Sequence, residues 1–195
     1  MPSGWTFVVD VAAGAYSLSI PNLITLARIL LVPVVVWAIA SHQMLFAFLL
    51  FAAAGVSDAV DGFLAKRFGM ASDLGRYLDP LADKVLIVAI YISLGIAEAL
   101  PRWLVILVVS RDLLIVGGVI FSWLIDKPVS VKPHPVSKLN TAFQLVLVAL
   151  VLAALGFNFD PGIWQTITTA AVAALTLASV AVYLREWVRH MGSAP

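Results

Sequence analysis

Four aspartates at two regular spacings are the residues of this chain best suited to chemistry. Asp58 and Asp61 stand three apart and Asp79 and Asp83 four apart, and each spacing brings two carboxylates onto one helical face. Of eleven acidic residues, five fall between Asp58 and Asp83, so charge is concentrated there in an otherwise apolar chain. A carboxylate inside a bilayer protein costs about 2.5–3.5 kcal/mol even on the mild insertion scale, and four anions facing one another also repel. Either protons or cations must compensate them. Carboxylate oxygens are hard ligands that suit Mg²⁺, Mn²⁺ or Ca²⁺. Two helices offering two carboxylates each can bracket a pair of cations about 3.5–4 Å apart, the arrangement that stabilises attacking and leaving oxygens in phosphoryl displacement. Gly62 directly after Asp61, and Gly75 four residues before Asp79, let a bulky phosphate or nucleotide approach the backbone, although glycine within a helix costs roughly 1 kcal/mol.

The elements that must position these groups read as membrane spans. A spanning helix needs about 20 largely apolar residues, and six stretches qualify: Ile20–Ala40, Met44–Lys66, Leu74–Ala97, Arg102–Ile125, Val136–Phe157 and Gly162–Trp187. Breakers and caps separate them at Ser41-His42-Gln43, Pro101, Lys127 to Pro135, and Asn158 to Pro161. The expected fold is an all-α integral membrane protein of six transmembrane helices over residues 20–190. It is preceded by an N-terminal segment, 1–19, and followed by a short tail, 191–195. Trp5 to Ser17 reads either as an interfacial helix or as an unstructured tail.

Composition agrees with this expectation. The 195 residues are 62% hydrophobic and 12% charged, with a mean hydropathy of +1.03, whereas a soluble domain carries roughly a quarter charged residues. A net charge of +1 offers no argument for nucleic-acid binding. The lack of cysteine excludes disulfides, thiolate catalysis and sulfur-ligated metals. Lys66, Arg67 and Arg76, then Lys127, Lys132 and Lys138, then Arg185 and Arg189, all fall on one side of the expected spans. Both termini are therefore expected to be cytoplasmic. No Lys or Arg precedes Arg28, so neither a secretory signal nor an Arg-rich transit peptide is read at the start, which favours a bacterial cytoplasmic membrane over an organelle. His42, His134 and His190 form no ligand pair, and the Trp and Tyr residues lie largely near span ends, as an interfacial belt does.

The run Asp58-Ala-Val-Asp61-Gly62-Phe-Leu-Ala65-Lys66, eight residues, then Gly75-Arg-Tyr-Leu-Asp79-Pro-Leu-Ala-Asp83 resembles the signature of the CDP-alcohol phosphatidyltransferases at every spacing. Lys66 stands where the family usually has Arg, with Arg67 beside it, and the two cations are not interchangeable. The resemblance extends over nearly the whole chain and implies six helices, a homodimer and two divalent ions, Mg²⁺ or Mn²⁺. By position it implies that Asp58, Asp61 and Asp79 bind metal, and that Asp83 both binds metal and takes the proton of the acceptor hydroxyl. Gly62, Ala65, Lys66 and Gly75 would line the cytidine diphosphate pocket. Ser110-Arg111-Asp112 and Val136-Ser-Lys138-Leu-Asn140-Thr-Ala-Phe-Gln144 are most similar to the mitochondrial-type cardiolipin synthases. Leu78-Asp-Pro-Leu-Ala-Asp-Lys84 is shared with phosphatidylglycerophosphate synthases.

The activity so implied is transfer of the phosphatidyl group from CDP-diacylglycerol to phosphatidylglycerol, giving cardiolipin and CMP. Glycerol 3-phosphate is the alternative acceptor. Either acceptor is a phosphate ester and calls for a second basic pocket. Arg28, Arg111 and Lys138 are its candidates, with Asn22 and Thr25 at helical spacing from Arg28. Each has a plainer reading: Arg28 snorkelling to headgroups, Arg111 paired with Asp112 inside the bundle, Lys138 marking topology. A different class of function, an ion-coupled transporter, also uses intramembrane carboxylates. It expects repeats or paired broken helices, and the chain has no internal repeat. A structural scaffold leaves the clustered acids unexplained.

Overall fold

The computed structural model describes residues 20–68, 73–124 and 134–192. Among the described residues the chain forms six α-helices: α1 Ile20–Ala40, α2 Met44–Phe68, α3 Asp73–Ile96, α4 Arg102–Leu124, α5 Pro135–Phe157 and α6 Ile163–Gly192. These match the six expected apolar segments closely. The largest difference is at α6, which continues past Trp187 through Arg189 to Gly192. Hydropathy falls at Arg185, whereas the backbone ladder needs no apolar side chain to continue. Residues 1–19 and the basic run Lys127–Lys132, expected to be an interfacial segment and a charged connection, lie outside the described residues.

Local chemistry sets the helix ends. At the α1–α2 turn the Gln43 N–H donates to the Ala38 carbonyl at 2.8 Å and His42 takes φ +56. The α3–α4 turn repeats this, with the Ala99 N–H on the Leu94 carbonyl at 2.9 Å and Glu98 at φ +58. Both are left-handed closures that satisfy carbonyls of the last helical turn. α5 starts at Pro135, whose missing N–H is not needed in a first turn, and ends on Asn158 in the left-handed conformation. The Gly162 N–H then donates to Asp160 Oδ1 at 2.8 Å, closing the α5–α6 turn.

α3 packs on α1, α4 and α5; α2 packs on α1 and α5; and α6 covers α5 and α4. Val35 and Ile39 of α1, Ile90 and Leu94 of α3, and Leu147 and Leu152 of α5 are fully buried in the shared core. The outside is equally apolar: Ile96 is 79% exposed, and Leu30, Ile106, Leu113, Ile163 and Trp164 are all more than half exposed. A helix apolar around its circumference needs lipid or protein on every side. α5 and the Ile163–Val188 stretch of α6 are long and apolar enough to cross a membrane, and the apolar parts of α1 and α2 run over Leu26–Ala40 and Met44–Asp58.

Gly156 marks the closest backbone approach, since a Cβ there would lie 2.8 Å from the Leu45 Cα and 3.0 Å from its N. Gly156→Ala is expected to destabilise the detergent-solubilised protein by about 1–3 kcal/mol, because backbone must move to admit the methyl. Gly117, with nothing within 4 Å of its Cβ position, is the control: Gly117→Ala should leave the melting temperature unchanged or raise it slightly. Equal losses for the two variants in a thermal-shift series would rule out this packing account.

Candidate functional site

Two charged groups lie between the helices, one around Arg28 of α1 and one around Arg111 of α4. α1 contains a single charged residue, Arg28, and it is only 4% exposed. Its guanidinium reaches two helices at once. Nη2 lies 3.1 Å from Asp58 Oδ1 on α2, and Nη1 donates to Asp83 Oδ1 on α3 at 2.5 Å. The carboxylates themselves are more open, with side chains 51% and 41% exposed respectively. One buried cation thus draws together one carboxylate from each of the two regularly spaced pairs.

Within α2 the backbone carries Asp61 just under one turn beyond Asp58, and within α3 it carries Asp79 just over one turn before Asp83. The side chains of Asp61 and Asp79 lie outside the described residues, as do those of Gly62, Ala65, Lys66 and Gly75, and of Asn22 and Thr25 on α1. Among the described residues no three His, Asp or Glu side chains form a metal-ligating group. The described pair nevertheless fits a cation. Asp58 and Asp83 are hard oxygen donors on different helices, aimed at one point, and a positive group already stands between them.

A second polar system joins the other helices. Arg111 on α4 is 1% exposed and is held on all three nitrogens. Nε donates to Ser179 Oγ of α6 at 3.2 Å and Nη2 to the same oxygen at 2.9 Å. Nη2 also donates to Ser137 of α5, and Nη1 to Asp112 Oδ1 at 2.5 Å. The Tyr183 ring lies 6.0 Å away, within cation–π range. Asp112, 5% exposed, takes a second cation on the same oxygen, Lys84 Nζ of α3 at 2.7 Å. Deeper in the bundle, Thr176 donates to Asn140 Oδ1 at 3.0 Å and the Tyr91 hydroxyl to the Gln144 carbonyl at 3.3 Å.

Of the cations expected in a second basic pocket, Arg28 therefore stands with the aspartates, and Arg111 is enclosed by Asp112 and two serines. The Lys138 side chain is exposed on the first turn of α5. Lys84, Ser137 and Ser179 carry no role in the sequence reading. Lys84 had one usable signal, a cation placed directly after Asp83. The serines had none, because a hydroxyl in an apolar helix shows no partner in one dimension.

The sequence model of the CDP-alcohol phosphatidyltransferase family matches residues 18–184. A rat protein named cardiolipin synthase (CMP-forming) is 38% identical over 181 residues, 85% of this chain and 60% of that protein. A chloroplastic CDP-diacylglycerol–glycerol-3-phosphate 3-phosphatidyltransferase of rice is 40% identical over 185 residues, 85% of this chain and 56% of that protein. A probable phosphatidylglycerophosphate synthase of Mycobacterium tuberculosis is 29% identical over 189 residues, 94% of this chain and 88% of that protein. The chain thus spans a little over half the length of the rat and rice relatives.

Arg28→Met removes the guanidinium between Asp58 and Asp83. The expected outcome is a melting temperature several degrees lower in EDTA, with most of the loss restored by millimolar Mn²⁺. A variant whose melting temperature is the same in EDTA and in Mn²⁺ would show that these carboxylates do not form a cation site.

Proposed function

The chain belongs to the CDP-alcohol phosphatidyltransferase family as an integral membrane protein, and from that premise we propose that it transfers the phosphatidyl group of CDP-diacylglycerol to phosphatidylglycerol, giving cardiolipin and CMP. The observation that carries the proposal is the convergence of Asp58 and Asp83, from the two halves of the family signature, on one cation. In the functional form Asp58, Asp61, Asp79 and Asp83 hold two divalent ions, Mg²⁺ or Mn²⁺. When bound, such ions supply positive charge to the diphosphate and to the departing CMP. Gly62, Ala65, Lys66 and Gly75 line the cytidine diphosphate pocket. Asp83 accepts the proton of the primary hydroxyl of phosphatidylglycerol. The hydroxyl oxygen bonds to the phosphorus that carries diacylglycerol, and the bond from that phosphorus to the CMP oxygen breaks. The protein contributes chiefly position and field.

The choice of acceptor rests on the likeness of Ser110-Arg111-Asp112 and of the Val136–Gln144 segment to the mitochondrial-type cardiolipin synthases, and on the 38% identity to the rat protein of that name. Arg28 and Lys138, with Asn22 and Thr25, are the residues assigned to the acceptor side, Arg28 serving both sides, whereas Arg111 is enclosed by Asp112, Ser137 and Ser179. The 40% identity to the rice glycerol 3-phosphate enzyme favours the alternative acceptor, and the assay must contain both. The remaining parts of the proposal are six transmembrane helices over residues 20–190, both termini on the cytoplasmic side of a bacterial membrane, and a homodimer.

The test is CMP release by purified protein with CDP-diacylglycerol and Mg²⁺ or Mn²⁺, with each acceptor offered separately and products identified by mass. Cardiolipin formed only with phosphatidylglycerol is the expected result. Release only with glycerol 3-phosphate overturns the acceptor and keeps the reaction class, whereas flux of an ion without CMP release points to transport. Asp83→Asn should lower the rate by about 10²–10⁴-fold, the usual contribution of a positioned base. A rate near wild type would remove Asp83 from that role.

A further inference from the structure

We propose that Lys84, through its ion pair with Asp112, is a positioning residue that fixes the rotation of α3 and so aims Asp83 at the reacting centre; the proposal rests on the function argued above. Adjacent residues on a helix point about 100° apart. Asp83 and Lys84 use that angle to tie α3 on two sides. Asp83 binds Arg28 of α1 at 2.5 Å, and Lys84 binds Asp112 of α4 at 2.7 Å. A turn of α3 about its own axis in either direction stretches at least one of these bonds. Near Asp83 the core contacts of α3 are apolar and undirected, and the hydrogen bond of Tyr91 to the Gln144 carbonyl acts about two turns further on. With either tie alone, this part of the helix could therefore roll about it.

The two ties differ in kind. The Arg28 bond exists to neutralise Asp83, a duty that cations at the aspartates take over. The Lys84–Asp112 pair lies outside that exchange and persists through it. Its anchor is also rigid. Asp112 is 5% exposed and shares its Oδ1 with Arg111, whose guanidinium is tied in turn to Ser137 of α5 and Ser179 of α6. Lys84 thus registers α3 against three other helices at once. Its ammonium is bonded to Asp112, and the contribution proposed for it passes through Asp83.

A double-mutant cycle on full-length protein in detergent decides this, read by Mn²⁺ binding (loss of the free-ion EPR signal) and by CMP release. Lys84→Met and Asp112→Asn are each expected to weaken Mn²⁺ binding about tenfold and to lower kcat by about 10–100-fold, with KM for CDP-diacylglycerol within about threefold, as a misaimed group does. The double variant should lose no more than the worse single one, because both break the same link. Lys84→Arg, which keeps charge and donor, should stay within about threefold of wild type. Simple electrostatics makes the opposite forecast for Lys84→Met: removing a nearby positive charge tightens Mn²⁺ binding. That outcome, or losses that multiply in the double variant, overturns the proposal. Where Lys84→Met does not fold, Asp112→Asn and Lys84→Arg decide it, and equal losses in the two overturn it. Wild-type protein that binds Mn²⁺ but releases no CMP overturns the proposed activity alone, and the Mn²⁺ titrations still judge Lys84. Wild type that takes up no Mn²⁺ removes the metal site and this inference together.

Discussion

Arg28 sets the arrangement of the first three helices, because its buried guanidinium has to be met by carboxylates of the neighbouring helices. A guanidinium taken almost wholly out of solvent, at 4% exposure, is tolerated in an apolar bundle only when anions meet it. Among the described residues two do, one from α2 and one from α3. The same bonds relieve the repulsion between two carboxylates that the fold brings to one place. The packing of α1 on both α2 and α3 therefore has an electrostatic condition as well as an apolar one. It places those helices so that Asp58 and Asp83 face a common point.

The bundle carries two charged systems of different character. Around Arg28 the acids are about half exposed, so water, ions or a polar headgroup can reach them. Around Arg111 the cation, its carboxylate partner and the Ser179 hydroxyl are all nearly inaccessible, at 1%, 5% and 1% exposure. An enclosed ion pair favours one packing of its helices, since removing either partner strands a charge. An open one is free to exchange partners. In the proposed function chemistry belongs to the first system and registry to the second, and the ion pair of Lys84 with Asp112 joins the two.

Outside these systems the molecule relies on undirected apolar contact. Leucine, isoleucine and valine fill the core and also cover much of the outer surface. Between helices in lipid, the contrast between inside and outside is weak, so apolar burial alone orients a helix poorly about its axis. Polar contacts few enough to count then decide rotation. Where helices must approach very closely, glycine decides instead, as at Gly156 against Leu45.

The helices were legible in the chain because each depends on local properties: an apolar run long enough to span, then Pro101, Asn158 or the Ser41–Gln43 turn to stop it. The spacing of Asp58 and Asp61, and of Asp79 and Asp83, is local in the same sense, and with Gly62 and Gly75 it pointed to the cation chemistry and the family. The end of α6 was not legible, since its last turns are polar and a hydropathy pattern stops where the hydrogen-bonded ladder does not. Partner choice was the larger gap. Arg28 is 55 residues from Asp83 and Arg111 is 68 from Ser179. A linear pattern lists which charges exist but holds no record of which will meet. That Arg28 stands among the aspartates, and that Lys84 and Arg111 share one oxygen of Asp112, became visible only once the helices had packed, because an ion pair is made by distance in space and not by distance along the chain.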